Sequence, residues 1–377
     1  MPTLGEITAL LDEWFPPGNA DDWDAVGLVC GDPAADVRRI HLAVDPVTSV
    51  VEEAVAADAQ LLVCHHPLLL RAVHGVGATD PKGRVVHRLV SSGCGLFTAH
   101  TNADSPAGGV SESLALTLGL QDVVPLDPDP VAPLDKIVVF APEDAADQVR
   151  AALAEAGAGR IGDYDQASFS APGEGRFRPL EGADPTIGEV GRPEVVAEVR
   201  IETVCPRHLR MDAVSAMLVA HPYEEPAYDV IELAALPEAD RGSGRIGRLP
   251  EPITLRDFAD HVAAVLPETA HGVRVAGDPD RVVEVIGLCG GAGDFLLDRA
   301  RAAGVDVYLT SDLRHHPASE LREHAAGSEA PALVDVAHWA AESTWLPVLR
   351  RRLAGALGDT VEVHVSTTNT DPWTFRV

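Results

Sequence analysis

Apolar runs alternate with polar, turn-forming stretches along this chain, and the alternation falls into three blocks. In the first, Leu4, Ile7, Leu10, Leu11 and Trp14 recur at helical spacing, and Pro16-Pro17 ends that helix. A polar loop at 21–28 follows. Strands are then expected at 39–44, 60–64 and 95–99, with helices at 46–57, 83–92 and 110–118. Such alternation implies a largely parallel, covered sheet. The proline run 126–133 reads as a linker.

The second block reads as a strand at 137–141, a helix at 144–156, strands at 166–170 and 195–204, a helix at 209–220 and a strand at 227–233. That β-α-β-β-α-β order is the order of a ferredoxin-like module of about 100 residues. Glycines at 242–247 mark its end as a hinge. In the third block the first rhythm resumes. Helices are expected at 255–266, 294–303, 318–325 and, longest, 339–357, and strands at 272–276, 282–288, 305–310, 332–336 and 361–366. The economical architecture is α/β: a split body with covered sheet or sheets built by both chain ends, residues 1–125 and 246–377, carrying an inserted α+β domain at 134–240.

Composition narrows the function classes. With 377 residues and 46% hydrophobic positions, the chain can bury a substantial core. Its formal net charge is -29, and Lys82 and Lys136 are its only lysines. Such a surface repels phosphate backbones, which argues against nucleic acid as a partner. Adaptation to high salt, or a biased coding composition, explains the charge equally well. The five cysteines are odd in number and lack CxxC spacing, which fits reduced thiols in the cytoplasm. No signal peptide and no membrane span of about 20 apolar residues is expected.

The candidate chemistry begins at Cys64-His65-His66-Pro67, where two imidazoles stand at the end of an expected strand. Far along the chain, His338 and Glu342 lie four apart at a helix start, hence on one face. A capped helix start with an incidental histidine is the plainer alternative. His100 and Asp104 follow another expected strand; Asp104 reads as a ligand or a turn residue, His100 as a neighbour of the site or a buried, hydrogen-bonded residue. Together His65, His66, Asp104, His338 and Glu342 offer more donors than one ion needs. Mixed nitrogen and oxygen donors suit zinc, iron, manganese, nickel or cobalt and are poor for magnesium or calcium. Bridging carboxylates suggest two ions, about 3.5–4 Å apart in such sites. The second His-His-Pro triplet, His315-His316-Pro317, falls at a helix start, a poorer position for ligation. The five-residue site requires that both chain ends build one sheet.

These segments, with Trp23-Asp24-Ala25-Val26-Gly27-Leu28, Gly290-Gly291-Ala292-Gly293-Asp294 and Leu309-Thr310-Ser311-Asp312, make the chain resemble the Nif-three-like dinuclear-metal family, commonly named GTP cyclohydrolase I type 2 homologues. The resemblance places the ligands of two divalent ions per chain, zinc first, on the same five residues. His221-Pro222-Tyr223-Glu224-Glu225-Pro226 is similar to the hallmark of longer members, whose insert resembles the PII and CutA folds and which form toroidal homo-hexamers. Glu224 and Glu225 then line an internal cavity, bind an ion or simply cap a turn. Ala103 stands where the family more often has a larger apolar residue. The expected activity is metal-dependent hydrolysis of a nucleotide-like small molecule, in the family's form an attack of water on C8 of a purine, with His100, His315 or His316 as proton shuttle. No phosphate loop of the GxxxxGK[ST] type is present, and Gly290–Gly293 before a helix reads as an anion site or a tight turn. The alternative is a non-catalytic metal-binding regulator, metal chaperone or scaffold.

Overall fold

The computed structural model describes residues 1–234, 237–324 and 330–377. The chain is a mixed α/β protein that divides into two compact units, Met1–Asp129 with Ala239–Val377, and Pro130–Glu238. Among the described residues no helix is long and apolar enough to cross a membrane.

The first unit holds two sheets, so the single sheet expected to be needed for the five-residue site is not what builds it. The five-stranded sheet runs in the order Gly27–Cys30, Gly95–Thr98, Leu61–Cys64, Arg39–Ala43, Glu362–Val365. All neighbours are parallel except the first pair. The six-stranded sheet runs Arg274–Ala276, Ala332–Val336, Val307–Ser311, Val282–Ala292, Pro237–Thr254, Gln121–Pro130. Its centre is parallel, and the pairings of Arg274–Ala276 and Pro237–Thr254 with their inner neighbours are antiparallel. Each chain end therefore contributes a strand to the sheet that the other end dominates. The central strands Leu61–Cys64, Gly95–Thr98, Val307–Ser311 and Ala332–Val336 are buried at every position. Helices cover both faces, so these strands read as mainly apolar runs; Asp335, the one charged residue among them, is paired with His271 and Arg274.

The N-terminal helix Leu4–Trp14 is fixed by a capping box between Thr3 and Glu6. It buries Leu4, Ile7 and Leu11 in one core with Trp345, Leu346, Leu349 and Leu353 from the far end of the chain. Helices Thr48–Ala56 and Pro81–Ser91 cover the opposite face of the same sheet through Val50, Val51, Val85 and Leu89.

Several expected elements differ. The proline run is no linker: it lies largely in Gln121–Pro130, the edge strand, where residues without an N–H are tolerated. The glycines at 242–247 are no hinge, since they fall inside the strand Pro237–Thr254. Arg245 locks them there. It is 1% exposed and donates to the carbonyls of Gly242, Gly244, Ser105 and Pro106. The long helix is broken into His338–Ser343 and Leu346–Leu357, with Pro347, which lacks a backbone donor, in the first turn of the second. Part of the expected loop at 21–28 pairs as Gly27–Cys30. Gly290–Ala292 stay within a strand whose register slips between Leu288 and Ala292. A short 3₁₀ turn, Asp294–Leu296, separates that strand from Leu297–Ala302, so no helix N-terminus opens directly on the glycines. The helix expected at 318–325 spans His315–Glu323, and its expected end lies outside the described residues.

In the second unit the elements follow as Leu134–Pro142, Ala146–Glu155, Ser168–Phe177, Glu194–Pro206, Arg210–Ala220 and Tyr228–Glu232. The antiparallel sheet has the order Ser168–Phe177, Glu194–Pro206, Leu134–Pro142, Tyr228–Glu232. Both helices pack on one face of it through Val149, Leu153, Ala213 and Met217.

Candidate metal centre

The residues singled out in sequence converge at the carboxyl ends of parallel strands from both sheets, the edge at which α/β proteins place their ligands. His65 and His66 leave Leu61–Cys64. His100 and Asp104 flank or end the short helix Thr101–Asp104 that follows Gly95–Thr98. His338 and Glu342 lie on the helix that follows Ala332–Val336.

Glu342 is at the middle of the cluster. Its Oε1 lies 2.7 Å from His338 Nε2 and 3.4 Å from His65 Nε2, and its Oε2 lies 3.0 Å from His66 Nε2. Asp104 Oδ1 is 3.6 Å from His65 Nε2. His100 packs edge-on against both His65 and His66, with centroids 5.2 and 5.5 Å apart. The donor atoms of His65, His66 and His100, and those of His66, His338 and Glu342, are each grouped closely enough for one ion.

Every imidazole in the cluster is held by its other nitrogen. His65 Nδ1 donates to the Ala99 carbonyl at 2.8 Å, His66 Nδ1 to Asp45 at 2.7 Å, His100 Nδ1 to Asp24 at 2.8 Å and His338 Nδ1 to Asp312 at 2.6 Å. That pattern puts the lone pair of each neutral ring on Nε2, the outer-shell arrangement of metal-ligating histidines. His65 Nε2 and Asp104 Oδ1 are buried with no hydrogen-bond partner. Buried polar atoms without partners are costly in an otherwise paired interior, and an ion between them removes the cost. The donor set fits a transition metal.

The electrostatics describe a proton-filled state of the same site. Burial works against charge on His66, but Glu342 and Asp45 outweigh it and hold the imidazole up at about 11. Burial is likewise outweighed at His338, where Glu342 and Asp312 hold it at about 10. At Glu342 burial opposes ionisation and the three surrounding imidazoles override it, holding the carboxyl well below its usual range. Asp104 moves the other way: burial raises it, and His65 offsets only part of the rise.

A glycine makes room for this packing. Gly291 has φ +72°, and a Cβ there would sit 2.6 Å from Glu342 Oε1 and 3.2 Å from His338 Nε2. A cavity of about 490 Å³ opens on the cluster, with His100, Asp104, Gly291, His338 and Glu342 in its wall. His315 and His316 stand apart. Both are exposed and they contact each other at a ring-centroid distance of 5.3 Å. Neither belongs to the clusters of donor atoms nor lines this cavity. Glu224 and Glu225 line a different cavity, inside the second unit, where Glu224 accepts from the Asp184 backbone N–H.

Sequence reading assigns no role to Asp24, Asp45 or Asp312, the three carboxylates that orient the imidazoles. A signal existed: Asp45 and Asp312 each follow a strand at the same sheet edge as the ligands. The side chain of Asp24 is fully buried and accepts from His100, from the Thr101 hydroxyl and from the backbone N–H groups of Thr101 and Ala25. Asp312 has φ +57°, a left-handed backbone unusual for a residue other than glycine.

Comparison with known proteins agrees over the full length. The profile of the Duf34/NIF3 (NGG1p interacting factor 3) family matches residues 2–372. A Mycobacterium tuberculosis protein named GTP cyclohydrolase 1 type 2 homolog is 50% identical over 371 residues, covering 98% of this chain and 96% of that protein. A Bacillus subtilis protein of the same name is 37% identical, covering 98% of each. Among solved structures, a Bacillus cereus protein related to NIF3 is 36% identical with a TM-score of 0.68, covering 100% of this chain and 99% of the other. A Staphylococcus aureus protein is 26% identical with a TM-score of 0.80 and the same coverage.

Proposed function

The chain belongs to the Duf34/NIF3 family, and from that premise we propose that it is a dinuclear-metal hydrolase acting on a nucleotide-like small molecule. The observation that carries the reading is the pair of buried, unpartnered donors, His65 Nε2 and Asp104 Oδ1, beside a carboxylate shared by three imidazoles. His65, His66, Asp104, His338 and Glu342 are the proposed ligands of two divalent transition-metal ions, zinc first. Glu342, in reach of His65, His66 and His338, is the carboxylate that would be shared by such ions. When bound, such ions supply Lewis acidity.

The remaining steps fall to the chain's own residues. His100, its Nδ1 tied to Asp24, presents Nε2 toward the cavity and is the proposed acid–base group. Asp45 and Asp312 hold His66 and His338 in one ring orientation. The exposed His315 and His316 are not proposed as shuttles, because they lie outside the cavity wall. The name shared by the relatives, GTP cyclohydrolase 1 type 2 homolog, supports a purine-like substrate. The strand order of the second unit supports a ferredoxin-like insert. Self-association to a homo-hexamer is part of the proposal, as is a cytoplasmic location, which five free cysteines support.

Metal content, measured on wild type and Glu342→Gln, is the deciding experiment, followed by turnover of nucleotides and phosphoesters by the loaded protein. The expected result is one to two transition metals per chain in wild type, loss in the variant, and turnover that depends on the metal. Fewer than one metal per chain sinks the metal centre itself. A loaded protein inert against the whole panel leaves the non-catalytic regulator as the surviving reading.

A further inference from the structure

Two unlike sets of residues line the cavity over the histidine cluster. Asp104, His338 and Glu342 are polar, whereas Trp23 and Phe295 are large aromatics that remain 58% and 65% exposed. Large aromatic rings left this open at a cavity are unsatisfied apolar surface, and they offer flat faces for stacking. Trp23 is held in place: its ring meets the His100 ring edge-on at 5.8 Å, and His100 is anchored by Asp24. The neighbouring wall of Thr101, Ser105, Ser111 and Ser243 carries uncharged hydroxyls. No lysine or arginine is among the lining residues, and Asp21 adds a further carboxylate. Lys82 lines a separate space of about 280 Å³, whose wall includes His66 and Asp45.

We propose that Trp23 and Phe295 clamp a flat, uncharged nitrogen heterocycle over the histidine cluster, so that the site takes a nucleobase or nucleoside in preference to a nucleoside triphosphate. This rests on the reading of the cluster as a metal-dependent hydrolase and refines its substrate class. Stacking supplies the affinity. The hydroxyl wall pairs with ring heteroatoms. A polyphosphate arm finds no lysine or arginine in the cavity wall and meets Asp21 instead. Both aromatic rings belong to binding, and neither takes a proton.

The test is calorimetric binding of guanosine and of GTP to metal-loaded wild type, Trp23→Ala, Phe295→Ala and Trp23→Phe, with metal content measured on each sample. The expected result is guanosine binding at least as tight as GTP. It should weaken about tenfold or more in each alanine variant and be largely restored in Trp23→Phe, as stacking energies for bases imply. Metal content should stay unchanged throughout. The clamp is overturned if guanosine fails to bind loaded wild type, or if both alanine variants bind it as wild type does. It is also overturned if GTP binds at least tenfold more tightly than guanosine; loss of that difference in Lys82→Ala would then assign the phosphate arm to the space that Lys82 lines. Loss of metal from wild type is a different failure, that of the metal centre and not of the clamp.

Discussion

Three imidazoles crowd around one carboxylate with a fourth, that of His100, packed on two of them, and each of the four is oriented by a separate acceptor: Ala99 O, Asp45, Asp24 and Asp312. Removing the negative charge of an outer partner should therefore loosen the ligand it holds. Asp45→Asn and Asp312→Asn are each expected to weaken metal binding about 10–100-fold, read by competition with a chromophoric chelator. An unchanged affinity in both would mean that the rings are held by packing alone. Protons compete for the same site. His66 and His338, raised to about 11 and about 10, are protonated at neutral pH in the metal-free protein. Metal ligation needs their neutral forms. Loading near pH 7 should release protons, so calorimetric heats will change with the ionisation enthalpy of the buffer, and affinity will rise with pH. The sign for stability is the opposite. In the metal-free protein these raised values stabilise the fold fully below the ordinary imidazole value of about 6.5, and that contribution is lost as pH rises through 10 and 11.

At the scale of elements, the glycine run at the end of Val282–Ala292 does what neither an anion loop nor a plain turn would do. It brings a backbone without side chains against Glu342 and His338. Gly291→Ala adds a Cβ into that space and also forces a left-handed backbone, which alone costs about 1–2 kcal/mol. Gly119 has φ +75° with nothing within 4 Å of its would-be Cβ, so Gly119→Ala isolates the backbone cost. Chemical denaturation should show both variants destabilised, whereas metal content should fall only in Gly291→Ala. Equal metal content in the two would show that the close approach at Gly291 is unimportant. The break between His338–Ser343 and Leu346–Leu357 belongs to the same scale. It lets the first helix aim His338 and Glu342 at the cluster while the second packs Leu346, Leu349 and Leu353 into the core with the N-terminal helix.

For the body of the molecule, the reciprocal strands matter most. Glu362–Val365 pairs in parallel with Arg39–Ala43, more than 300 residues earlier, and Gln121–Pro130 is the edge of the other sheet. Deleting residues 362–377 should strip the Arg39–Ala43 edge and remove Thr370, which donates to Asp45 at 2.5 Å and so supports His66. Hydrogen exchange is expected to accelerate in Arg39–Ala43 while Val307–Ser311 and Ala332–Val336 keep their protection. Uniform loss of protection in both sheets would mean that the body unfolds as one unit.

Element types and the candidate donors were legible because both depend on short-range information. Strands such as Leu61–Cys64 are continuous apolar runs bounded by polar residues, and His338 and Glu342 share a helical face by spacing alone. What sequence could not decide is set by partners distant in the chain. Prolines at 128, 130 and 133 look like a linker until the first two are seen to lie in an edge strand. The glycines at 242–247 look like a hinge until Arg245 is seen bound to four carbonyls, two of them from residues 105 and 106. The two histidine pairs look alike in sequence, and only tertiary packing buries His65 among carboxylates and leaves His315 and His316 exposed. Local periodicity determines which residues can share a face. Burial and hydrogen bonding between distant segments determine which of them meet, and the site is made of such meetings.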